Sequence, residues 1–189
     1  MISDKREDLI REKIDLLFGD EGLSFQTTKI ISFFESAYEN KFDGVLSTIT
    51  QLSFTHNDLV DLIDIGHLIN QAYKKNEITI EKSKIIKKLK HLKKTIGTWD
   101  DFPSHLSPIE LNNPLLAIEK FFFLQNIYDW KILVRRVFDA AIGNLSMGEA
   151  TSEFNIALDA LELFRLLDSV WIFKHSVDYE IEELPEVRY

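Results

Sequence analysis

Apolar residues recur along this chain at intervals of three and four, the spacing that lines up side chains on one face of an α-helix. Between 4 and 18 the stripe is Ile10, Ile14, Leu17 and Phe18, and Gly19-Asp20-Glu21-Gly22 breaks it. From 25 to 40 it is Ile30, Ile31, Phe33, Phe34, Ala37 and Tyr38, and a shorter segment at 44–53 carries Val45, Leu46, Ile49 and Leu52. Thr55-His56-Asn57-Asp58 resembles a capping box, which predicts a helix to about Lys74 with Leu59, Leu62, Ile63, Ile69 and Tyr73 inward. Thr79 is a candidate cap for the next helix, striped by Ile85, Leu89, Leu92 and Ile96.

Residues 97–113 hold Gly97, Pro103 and Pro108 and form the least regular stretch. Within it, Ser107-Pro108-Ile109-Glu110 predicts a single capped turn with proline at the first helical position. Asn113-Pro114 starts a further helix by the same logic, with a kink or restart near Asn126–Asp129. The following helix ends at Gly143-Asn144, and the longest is expected over about 149–174 after the box Ser146-Met147-Gly148-Glu149. From Val177 to Glu182 apolar and acidic residues alternate, as in a half-buried strand. The expected architecture is all-α: a single-domain bundle of about seven or eight helices over 1–176, with an extended acidic tail over 177–189. Helices 114–125 and 149–174 are apolar around most of their circumference, which predicts that they form the centre, with Phe122 and Leu161 in the core.

Composition narrows the chemistry more than it names it. The 189 residues contain no cysteine, which removes disulfides, thiolate catalysis and Cys-ligated metal sites. The formal net charge is −9, against a nucleic-acid-binding surface, although residues 74–94 hold nine lysines and only two glutamates. The first residues mix charges where a signal peptide needs an apolar run, and no stretch is apolar for the ~18 residues of a membrane span. A cytoplasmic chain that binds neither membrane nor nucleic acid is therefore expected.

No glycine-rich phosphate loop, nucleophile elbow or His-Glu-x-x-His pattern is present. His56 and His67 point the same way on a continuous helix. Eleven residues rise about 16 Å, too far for one metal ion. Asp64 and His67 have the spacing of half a metal site, but no second half can be placed, so an exposed carboxylate beside a partly buried histidine is expected. The expectation is no metal and no cofactor.

Three features remain as candidates. The first is a basic amphipathic helix in which Lys84, Lys87, Lys88, Lys90 and Lys94 surround the Ile85–Ile96 stripe. It lacks the aromatic anchor of a membrane helix and the arginines suited to phosphate, and fits an acidic partner or the acidic tail better. Tyr179 and Ile181 supply the apolar edge of that tail. The second is the irregular stretch with Trp99, Asp100, Asp101 and His105, ionisable residues on a long loop. The third is a set of polar residues on apolar helix faces, Glu119, Arg165, Asp168 and His175. A buried carboxylate must be paired, or else face a pocket or partner. The ordinary alternative is an internal Arg165–Asp168 pair reaching Glu119.

The first reading is a non-enzymatic helical protein that acts by binding another protein or by self-association. The alternative is an enzyme or small-ligand-binding protein with a polar pocket near Glu119, Arg165, Asp168 and His175. A polar pocket touching Glu119 or Asp168 favours the second.

Overall fold

The computed structural model describes residues 2–39, 48–78, 102–143 and 156–177. Among them are seven helices and no strand, an all-α bundle. They are α1 (Ile2–Phe18), α2 (Leu23–Glu39), α3 (Ile49–Lys74), α4 (Pro108–Asn112), α5 (Leu115–Leu124), α6 (Ile127–Ile142) and α7 (Ile156–Val177). The lysine helix with Lys84, Lys87, Lys88, Lys90 and Lys94, the loop residues Trp99, Asp100 and Asp101, and the tail with Tyr179 and Ile181 lie outside the described residues.

Local chemistry sets several boundaries. Gly19 takes a positive φ of +49° just past α1, the left-handed conformation that ends a helix at least cost to glycine. The buried Gln26 side chain then donates to the Leu17 carbonyl at 2.9 Å, satisfying one of the last α1 acceptors from α2. The Ser107 box forms as its sequence predicts. Ser107 Oγ accepts from the Glu110 amide at 3.4 Å, and Glu110 Oε2 accepts from the Ser107 amide at 2.9 Å. The restart near Asn126 is also real, since Asn126 caps α6 by accepting from Tyr128 and Asp129.

The expected start of α3 at Thr55 needs correction. The helix begins at Ile49, capped by Thr48, whose side chain accepts from Gln51 at 3.2 Å. Thr55 is buried inside the helix and its hydroxyl donates to the Gln51 carbonyl at 3.1 Å. A helix-compatible hydroxyl of this kind reads as a cap only when the preceding turn is ignored.

The expected centre is also redistributed. α3 packs against α1, α2, α5, α6 and α7, and is the hub of the bundle. Its Gly66 faces Leu166 of α7 so closely that a Cβ there would sit 2.7 Å from Leu166 Cδ1. α7 is buried on all sides from Leu166 to Phe173, but Leu158 and Leu161 are exposed. α5 buries Leu115, Ala117, Ile118 and Phe121, leaves Phe122 half-buried, and exposes Leu116, Phe123 and Leu124. Between α5 and α6, Phe121 and Trp130 stack at 4.0 Å, and the Trp130 indole N–H donates to the Phe121 carbonyl at 3.0 Å.

Candidate functional site

The irregular stretch before α5 is fastened to α7 by three kinds of contact. A small apolar cluster joins Leu106 and Leu111 to Ile172 of α7 and Ala117 of α5. Glu110 pairs through Oε1 with Arg165 while its Oε2 holds Ser107. Arg165 also donates to Glu162 at 3.0 Å, and Lys120 of α5 reaches the same oxygen at 3.3 Å. Burial pushes the Glu110 carboxyl up, but the Ser107 hydroxyl and amide together with Arg165 outweigh it and hold it below its ordinary value.

The third contact is the one with chemical potential. Asp168, 1% exposed, receives the His105 backbone N–H at 2.8 Å and the His105 ring Nδ1 at 3.2 Å, both on Oδ2. Phe164, one helical turn before Asp168, stacks on the imidazole at 4.8 Å and 20°. A carboxylate that accepts Nδ1–H fixes the neutral ring with Nε2 as the acceptor. The ring is therefore held in plane against Phe164, and its neutral form, donating through Nδ1, leaves Nε2 as an acceptor, the arrangement a general base needs.

His105 and Asp168 lie at a polar pocket of about 250 Å³. The first turns of α2 supply Leu23, Ser24, Thr27 and Thr28, and the irregular stretch supplies Phe102 and Ser104. Two of the wall hydroxyls are committed as donors: Thr27 to the Leu23 carbonyl and Thr28 to the Ser24 carbonyl, both at 2.9 Å. Asp168 Oδ1 is buried with no hydrogen-bond partner among the described residues.

The candidate polar residues of the sequence thus separate. Arg165 pairs with Glu110 and Glu162 rather than with Asp168, so the expected Arg165–Asp168 pair gives way to two parallel links between α7 and the irregular stretch. Glu119 is half-buried on α5 and joins neither link. His175 meets Trp171 edge to face at 4.2 Å. Glu119, Arg165 and His175 do not line the pocket. Asp168 instead joins His105, which the sequence had placed in a different candidate group, 63 positions away.

Ser24, Thr27 and Thr28 were missed, because hydroxyls in an amphipathic helix carry no signal of what stands opposite them, and Ser104 was missed within the irregular stretch that holds Phe102 and His105. Glu110 and Glu162 were missed as partners of Arg165, although the Ser107 box already marked Glu110.

Elsewhere, Asp64 turns to Lys131 of α6 at 2.7 Å, and His67 to Gln71 at 2.6 Å, so the two do not converge on a shared point. Burial lowers His67 below its ordinary value, more than the nearby Asp64 raises it. Among the described residues no three His, Asp or Glu side chains group as a metal site, and no helix is long and apolar enough to cross a membrane. Compared with known protein families, curated proteins and solved structures, the chain matches none.

Proposed function

We propose that this protein binds a small polar molecule in the pocket between α2 and α7, with His105 as the proton-exchanging group. The observation that carries this reading is the buried Asp168 gripping His105 at the edge of a polar cavity. A surface histidine needs no buried carboxylate on both its backbone and its ring. Taking Asp168 out of water costs several kcal/mol before any hydrogen bond offsets it. That expense supports a site in which the orientation of the imidazole matters. Nε2, left as the acceptor, is suited to take a proton from a bound ligand or to hold one of its donors. The pocket, at about 250 Å³, lies below the ~300–1,000 Å³ of drug-sized sites, so the ligand is small.

The test is an NMR screen of imidazole-labelled protein against pooled small metabolites, with the His105 signal assigned from His105→Gln. Selective movement of the His105 resonance by one pool, with the other four histidines still, is the expected result. If no pool moves it at millimolar concentration, the small-molecule reading fails.

A second reading, self-association, rests on a different surface. Phe123 is 88% exposed and Tyr128 75%, with Leu124 and Ile132 each 50% exposed beside them on the α5–α6 corner. Four large apolar side chains in so short a span exceed the scatter of a monomer surface. Asp129 and the Arg135–Asp139 pair carry both charge signs on the exposed face of α6. A two-fold contact of this face with its own copy can therefore oppose unlike charges. Light scattering of the intact chain and of Phe123→Ser/Tyr128→Ser decides it: a dimer that the double variant converts to monomer supports the reading, and a monomeric wild type ends it.

A further inference from the structure

We infer that the pocket takes a small amine, a ligand of about ten non-hydrogen atoms or fewer that presents an ammonium or amino N–H group to Asp168. This deepens the small-molecule reading above and rests on it.

Three observations converge on a donor rather than an acceptor. Asp168 uses Oδ2 for both bonds to His105, and its buried Oδ1 has no partner among the described residues. Asp168 lines the pocket, and a carboxylate there is an acceptor that a ligand N–H satisfies. Thr27 and Thr28 have already given their hydroxyl protons to α2 carbonyls, so what they offer the cavity is lone pairs. His105, held with Nδ1–H on Asp168, likewise offers Nε2 as an acceptor.

Charge points the same way. Among the described residues that line it are Asp168 and His105, and none is a lysine or arginine. A carboxylate or phosphate ligand would meet Asp168 as a like charge. The pocket does sit at the first turns of α2, whose N-terminus carries a partial positive charge. That is equivalent to about half an elementary charge at most, less than the full charge of the carboxylate. An amine gains the carboxylate as a charge-assisted acceptor, the stronger kind of hydrogen bond.

The experiment is calorimetric titration of the full chain at pH 8 with three probes of similar length: 1,4-diaminobutane, 1,4-butanediol and succinate. The diamine should bind at millimolar concentration or tighter, with the diol at least tenfold weaker and succinate silent. Asp168→Asn should weaken the diamine tenfold or more, and Thr27→Val, which alters no charge, several-fold, with helicity unchanged by circular dichroism. Thr27→Val keeps the test decisive if Asp168→Asn does not fold. Equal or tighter binding of succinate, no binding of the diamine, or diamine binding indifferent to the folded variants overturns the amine assignment. The His105 resonance separates the two levels. If acids or alcohols move it and amines do not, the pocket stands and the amine falls; if no class moves it, both fall.

Discussion

Replacing Arg165 with methionine tests whether ion pairing holds the pocket wall to α7. The side chains of Arg165, Glu110 and Glu162 are 14%, 9% and 14% exposed, so this is not the surface regime in which ion pairs contribute little. Methionine keeps most of the aliphatic volume, and the cavity term is small. The loss is therefore electrostatic. Glu162 retains Lys120 at 3.3 Å, but Glu110 keeps only the donors of Ser107. Stranding one member of a buried pair costs about 3–5 kcal/mol, and the surviving Ser107 bonds place the expectation near the lower end. Adding Glu110→Gln removes the stranded charge and should recover about 1–2 kcal/mol, so the two substitutions are strongly non-additive. Urea unfolding followed by circular dichroism measures each term of the cycle. The His105 imidazole resonance should also shift in Arg165→Met, because Ser107 and Glu110 lie on the same short stretch as His105. A single variant within about 0.5 kcal/mol of wild type, or a double variant no better than Arg165→Met, would refute the argument.

Three further outcomes are expected. Glu110 is held below its ordinary value of 4.5, so its contribution to stability is complete above that pH and is lost as the pH falls below it. Urea midpoints from pH 6 to pH 3 should consequently fall less steeply in Glu110→Gln than in wild type, and identical slopes would count against the assignment. On α7, Leu163 is fully buried and Leu161 is 38% exposed; alanine should cost about 2–5 kcal/mol at the first and under about 1 kcal/mol at the second, by the same unfolding assay. At Gly66, alanine gains about 1 kcal/mol of helix propensity but drives its Cβ against Leu166 at 2.7 Å, and overpacking of about 1–3 kcal/mol should prevail. A Gly66→Ala variant with a higher melting temperature than wild type would show that Leu166 yields freely.

How much was legible follows the range of the forces involved. Helix existence is local: Ile10, Ile14 and Leu17 repeat within a few turns, and Ser107 and Glu110 bond across three residues, so both appear in the string of residues and again in the structure. The apolar stripe also gave most of the inward faces of α1, α2 and α3. It could not give the depth of each helix. Phe122 and Leu161 lie on stripes as apolar as their neighbours, yet one is half-buried and the other exposed, because burial depends on which helix arrives opposite. The Thr55 misreading has the same origin in reverse, since a hydroxyl inside a helix and one at its start look alike until the backbone is traced.

The candidate site divides along the same line. The sequence by itself marked Asp168 as a polar residue on an apolar face and His105 as an ionisable residue on an irregular stretch. It also fixed what each could do, since a carboxylate accepts and an imidazole exchanges a proton near neutral pH. Only the tertiary structure joined them, and gave Arg165 to Glu110 and Glu162 instead of to its i+3 neighbour Asp168. Residues three apart on a helix can pair, but a partner from another element competes for the same charge. The Ser107–Glu110 turn, docked through Leu106 on Ile172, brought that partner into reach. Helical periodicity records which way a side chain faces, whereas pairing across 55 or 63 residues depends on how the intervening chain packs.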